Sequence, residues 1–91
     1  MKLSARERTA LLAMVELARR YGDGPTALSE VAQAQGLPLP YLERVAALLR
    51  KAGLVSSARG ARGGYALARE PREISVREVL TAVEGALVPI G

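Results

Sequence analysis

Residues 28–52 read LSEVAQAQGLPLPYLERVAALLRKA, and the break in the middle of that stretch decides the fold. Before the break, Ser29 has the chemistry of a helix N-cap. Leu28, Val31 and Ala32 fall on one side of a short helix, about 29–35, and Gly36 is its stop. Leu37-Pro38-Leu39-Pro40 is too short for a linker and too rich in proline to continue a helix, yet proline suits the first turn of the next one. A second helix is expected over about 40–52. At about 100° per residue, Leu42, Val45, Ala46, Leu49 and Ala52 share one side of it, with Tyr41 and Leu48 at the margin. Glu43, Arg44, Ala47, Arg50 and Lys51 occupy the opposite arc. So short a turn forces the two helices to pack on each other, with a charged arc of the second left outside.

Upstream, Ser4 and Glu7 have the spacing of a capping box, which predicts a first helix over about 5–21. Leu11, Met14, Val15 and Ala18 recur at i, i+3, i+4, i+7 as its expected buried stripe, and Gly22-Asp23-Gly24-Pro25 ends it. Thr26 to Leu28 is expected to be extended, as a short edge strand. Downstream, Gly53 stops the helix, and Leu54-Val55-Ser56-Ser57 and Tyr65-Ala66-Leu67 are β-prone runs joined by a basic, glycine-rich tip. That places a hairpin, or wing, at about 54–67. Ser75 and Glu78 form a second capping box, opening a helix over about 76–84 with Val76, Val79, Leu80 and Val83 inward. Tyr21 is expected in the core and Tyr65 in the packing of the hairpin. The order predicts one domain over residues 1–91 of mainly α class with a small β-hairpin: a winged helix-turn-helix.

The 91 residues hold neither cysteine nor histidine. This excludes thiolate and imidazole metal sites, disulfides, a cysteine nucleophile and a Ser-His-Asp triad within the chain, and no cofactor is expected in it. No paired-carboxylate motif or Walker-type phosphate loop is present, so an enzyme is not expected. No run approaches the roughly 18 to 20 apolar residues of a membrane span. The first residues lack the apolar region of a secretory signal, which points to the cytoplasm.

The net charge of +4 is unevenly spread. Arg44, Arg50, Lys51, Arg59, Arg62 and Arg69 give the stretch 44–69 a charge of +6 without a single acid, and the remainder carries −2. A cationic block that coincides with the outer arc of one helix and with a hairpin tip suits a polyanion: the helix would read base edges in the major groove of duplex DNA, and the wing would reach the backbone or the adjacent minor groove. On that reading Gly60, Gly63 and Gly64 supply positive φ and let backbone N–H groups approach phosphates. The alternative is that they merely close a hairpin. Tyr41 is either a core-margin aromatic or a DNA contact. With three aromatics and no Trp or Phe there is no stacking platform for single strands, which favours duplex. A winged helix used only for protein–protein contact, without DNA affinity, is the other functional reading.

Met1-Lys2-Leu3-Ser4, Tyr41-Leu42-Glu43, Leu49-Arg50-Lys51-Ala52-Gly53-Leu54-Val55, Arg59-Gly60 to Gly63-Gly64-Tyr65, and Ala82-Val83-Glu84-Gly85 together resemble the Rrf2 (Rrf-two) family of bacterial transcription regulators, and they follow one another in family order. The resemblance implies a sequence-specific repressor that binds a palindromic DNA operator as a homodimer. It places Tyr41 and Glu43 in the major groove, Arg59 in the minor groove, and Arg6 and Arg8 near phosphates. A carboxylate at 43 has a chemical logic, since the cytosine amino group is a donor in that groove. Pro40 stands where the family has a serine, Arg44 where a glutamine is common, and Ala61 where a proline is, so operator sequence does not transfer. Family members commonly continue into a three-cysteine segment that holds an iron-sulfur cluster and then a long dimerisation helix. The resemblance covers the DNA-binding part alone.

Overall fold

The computed structural model describes residues 2–58 and 63–84. Helix α1 (Ala5–Arg19) opens on the expected capping box: the Glu7 N–H donates to Ser4 Oγ at 3.0 Å, and the Ser4 N–H donates to Glu7 Oε1 at 2.8 Å. Its buried positions are Thr9, Ala10, Ala13, Met14, Glu16 and Leu17, a stripe turned by one residue from the expected one. Val15 is 52% exposed as a result. Ala10 and Ala13 are buried with Met14 and Leu17, while Leu11 and Ala18 of the expected stripe pack against the core at its margin. Tyr21 lies past the end of α1 and is exposed, not in the core.

Helix α2 (Leu28–Gln35) starts earlier than the Ser29 cap predicts, because Ala27 is the N-cap. Thr26 explains the shift. Its N–H and C=O each pair with Tyr65 at 2.8 Å, so extended chain runs through Thr26 to the Ala27 cap and the helix begins two residues after Thr26, at Leu28. Of the expected extended run, only Thr26 pairs, and Leu28 is helical. Gly36 closes α2 in the left-handed conformation (φ 65°), and the Leu37 N–H reaches back to Ala32 O at 2.8 Å. Together they form a glycine stop that a Cβ would strain.

Helix α3 (Leu39–Lys51) follows at once, with Pro38 as N-cap and Pro40 in the first turn, where a missing N–H costs nothing. Leu42, Val45, Ala46 and Leu49 are buried as expected. Ala52 falls outside the helix and is exposed. Strands β1 (Val55–Ala58) and β2 (Gly64–Leu67) pair antiparallel, with Val55 opposite Leu67 and Ala58 opposite Gly64. Thr26 adds a one-residue third edge through its bridge to Tyr65.

After a 3-10 turn at Pro71–Glu73, α4 (Val76–Glu84) opens on the second capping box, Ser75 with Glu78. Val79 and Val83 are buried where α4 packs on α1 and α3. Val76, expected inward, is 61% exposed at the first position of the helix. It lines an open apolar groove with Leu11, Val15 and Ile74. The architecture is therefore mainly helical, with a helix-turn-helix on one side of α1 and a two-stranded wing beside it.

Candidate nucleic-acid interface

Because α3 commits Leu42, Val45, Ala46 and Leu49 to the core, helical geometry turns Pro40, Glu43, Arg44, Ala47, Arg50 and Lys51 to solvent, and all six are exposed. Glu43 and Arg44 are adjacent in sequence and so do not face each other. They open onto different flanks of the helix. Glu43 lines a cleft with Ala27, Ser29, Gly63 and Gly64, between the start of α2 and the base of the wing. Arg44 lines a second cleft with Arg6 and Tyr41, towards the N-terminus of α1. Tyr41 both packs against the core and lines that cleft, so the two sequence readings of it are not exclusive.

The remaining candidates are less gathered. Arg8 is exposed on α1, but two positions from Arg6 it points away from the Arg6 flank. Arg50 and Lys51 occupy the last turn of α3, about 10 Å up the axis from Glu43 and Arg44 at 1.5 Å per residue. There the negative end of the helix dipole already favours cations. Arg59, Gly60 and Arg62 lie outside the described residues.

Gly64 has a role the sequence did not announce. A Cβ there would stand 2.6 Å from the carbonyl carbon of Thr26 and 2.7 Å from its oxygen. Its φ is not positive, so this glycine is required by the close approach of β2 to Thr26, not by a turn. Ser29, which the sequence offers only as a helix cap, lines the cleft with Glu43. Once Ala27 caps α2, the Ser29 side chain is released into the cleft with Glu43. The signal that would have found it is the pairing of Thr26 with Tyr65, which is long-range.

The charges on the arc are unspent. Among the described residues, ion pairs join Glu16 to Arg19 and Arg20, Arg20 to Glu30, Arg69 to Glu78, and Arg72 to Glu70. None includes Arg6, Arg8, Glu43, Arg44, Arg50 or Lys51. Hydrogen bonds from Arg20, then from Gln35, hold the Glu16 carboxyl below the usual carboxylate range, against the opposing effect of burial. The Arg69 guanidinium and the Ser75 backbone do the same for Glu78. Those two carboxylates line neither cleft beside α3, and their partners account for them structurally.

A family model described as "Rrf2: Iron-dependent Transcriptional regulator" matches residues 3–90. The chain is 44% identical over 90 residues to the HTH-type transcriptional regulator CymR of Bacillus subtilis, covering 99% of this chain and 65% of that protein. It is 45% identical over 84 residues to the HTH-type transcriptional regulator IscR of Aliivibrio salmonicida, covering 92% of this chain and 50% of that protein. Among solved structures, T. potens IscR superposes with a TM-score of 0.88 at 50% identity, covering 97% of this chain and 64% of that one. The chain thus spans between half and two thirds of the length of these relatives.

Proposed function

Because the chain belongs to the Rrf2 family of transcriptional regulators, we propose that residues 1–91 are the DNA-reading domain of a bacterial repressor that binds a palindromic operator as a homodimer. The observation that supports this best is the outer arc of α3, exposed and without ion pairs among the described residues, set between Arg6 on one flank and the wing base on the other. A helix of this kind lies in the major groove, while the flanking elements meet the backbone strands on either side. Two-fold symmetry of the protein then maps onto two-fold symmetry of the operator. The relatives are named as regulators, and we assign the chain no catalysis. Among the described residues no helix is long and apolar enough to cross a membrane, and the proposed place of action is the cytoplasm.

The family description invokes iron. These 91 residues contain no cysteine or histidine, and among the described residues no cluster of carboxylates is arranged to hold a metal. The donors present do not fit an iron centre, so regulation by iron finds no ligand in this stretch of chain.

A duplex-binding titration in rising salt tests the proposal. If a dimer neutralises roughly 6 to 8 phosphates, log K should fall against log salt with a slope of about −5 to −7. Absent or salt-independent binding would overturn it.

A further inference from the structure

Glu43 is an exposed carboxylate next to the stretch that carries +6, on the arc whose basic residues make no ion pair among the described residues. Phosphates laid against it would be repelled, so if α3 meets duplex DNA, as proposed above, base edges suit the Glu43 position better than the backbone does. Arg44 is one residue further along the same exposed arc, on the flank that faces Arg6, and a rise of about 1.5 Å per residue keeps it within one base-pair step of Glu43 along the helix. Nothing on its own helix uses its donors: the positions three and four residues away are Pro40, Tyr41, Ala47 and Leu48, none of them acidic. Tyr41 lies beside it in the cleft, and Ala47, one turn on, is too small to screen it. The guanidinium is a planar fork of donors with no acceptor among the described residues.

We infer that Arg44 is a specificity-determining residue that selects a guanine within one base pair of the cytosine selected by Glu43, once in each half-site. The inference rests on the DNA-reading assignment of α3. In the major groove guanine presents two acceptors, O6 and N7, which a guanidinium meets with two parallel hydrogen bonds, and cytosine presents the amino donor that a carboxylate accepts. An acceptor side chain and a donor fork on consecutive residues therefore complement a G and a C close together. Arg6, Arg50 and Lys51, at the flank and the far end of the helix, are placed for the backbone instead.

The experiment is selection of binding sites from randomised duplexes by the 91-residue chain, at one fixed salt concentration, for the wild type, Arg44→Gln and Arg44→Ala. Affinities for the selected site and for a random duplex are then measured. The wild type should select guanine at one position beside a cytosine. Arg44→Gln should change that guanine to adenine and leave the cytosine, because a glutamine amide matches adenine N6 and N7. Arg44→Ala should lose about 5- to 150-fold of discrimination at that position alone. Equal loss on selected and random duplexes, with the guanine retained, would make Arg44 a phosphate contact and overturn this inference while leaving the DNA-reading function intact. If the wild type selects no sequence, the DNA-reading assignment itself fails and this inference falls with it.

Discussion

The Nε of Arg20 lies 2.7 Å from Oε2 of Glu16, a carboxylate whose side chain is only 4% exposed. Gln35, the last residue of α2, donates to the other oxygen at 2.9 Å, so this one carboxylate ties the end of α1 to the end of the first helix of the helix-turn-helix. The two helices are thereby held by charge-assisted hydrogen bonds as well as by apolar packing.

Glu16 makes stability sensitive to acid. Its carboxyl is held below its ordinary value of 4.5, so as pH falls the unfolded chain takes up this proton before the native state does. The stabilisation is complete above the ordinary value and is lost as pH falls towards the lowered one. Urea midpoints should be nearly constant from pH 7 to about 5 and drop below that. Glu16→Gln should cost about 1–3 kcal/mol at pH 7. It should also flatten the acid-side loss, with the part due to Glu78 remaining. Parallel profiles for the two proteins would show that Glu16 is not the group responsible.

Gly64→Ala drives a methyl group into the Thr26 backbone, which cannot swing aside as a side chain would. The bridge between Thr26 and Tyr65 must open or the wing must shift, at a cost of about 1–3 kcal/mol. Calorimetry should register this as a fall in Tm of about 4–8 °C per kcal/mol. An unchanged Tm would mean that the wing does not sit this close to Thr26 in solution.

The wing arginines separate groove reading from charge, on the proposal that Arg59 enters a minor groove narrowed by A·T pairs. Arg59→Ala should then cost about 1–3 kcal/mol on the preferred operator and less on random duplex. Arg62→Ala should weaken both alike. Glu43→Ala should raise non-specific affinity while lowering discrimination for cytosine at its position. Binding isotherms on both duplexes at one salt concentration decide among these. Equal losses for the two arginines, with cytosine discrimination intact, would leave only an electrostatic role.

Anaerobic reconstitution with ferrous iron and sulfide offers a direct check on the donor set. With no thiolate or imidazole in these 91 residues, no visible absorbance should survive desalting, and DNA affinity should not respond to oxidant. A retained chromophore would mean that carboxylates alone assemble a centre.

What the sequence determined by itself lies within a few residues along the chain. Ser4 with Glu7, and Ser75 with Glu78, marked two helix starts that the hydrogen bonds match. Gly36 marked the turn, and the spacing of Leu42, Val45, Ala46 and Leu49 separated the inner face of α3 from its outer arc. These are legible because capping and helical periodicity act between positions three and four apart.

The tertiary structure decided the rest. It centred the buried face on Ala10, Ala13, Met14 and Leu17, kept Leu11 and Ala18 at its margin and left Val15 exposed, since both stripes have helical spacing and only the packing of whole helices separates them. It buried Glu16, where Gln35 arriving from another helix joins the local partners Arg19 and Arg20. It also moved the start of α2 to Leu28, freed Ser29 into the cleft with Glu43 and required Gly64, all through the pairing of Thr26 with Tyr65. Contacts between residues so far apart in sequence depend on how whole elements pack, and no local pattern of apolar and polar residues encodes them.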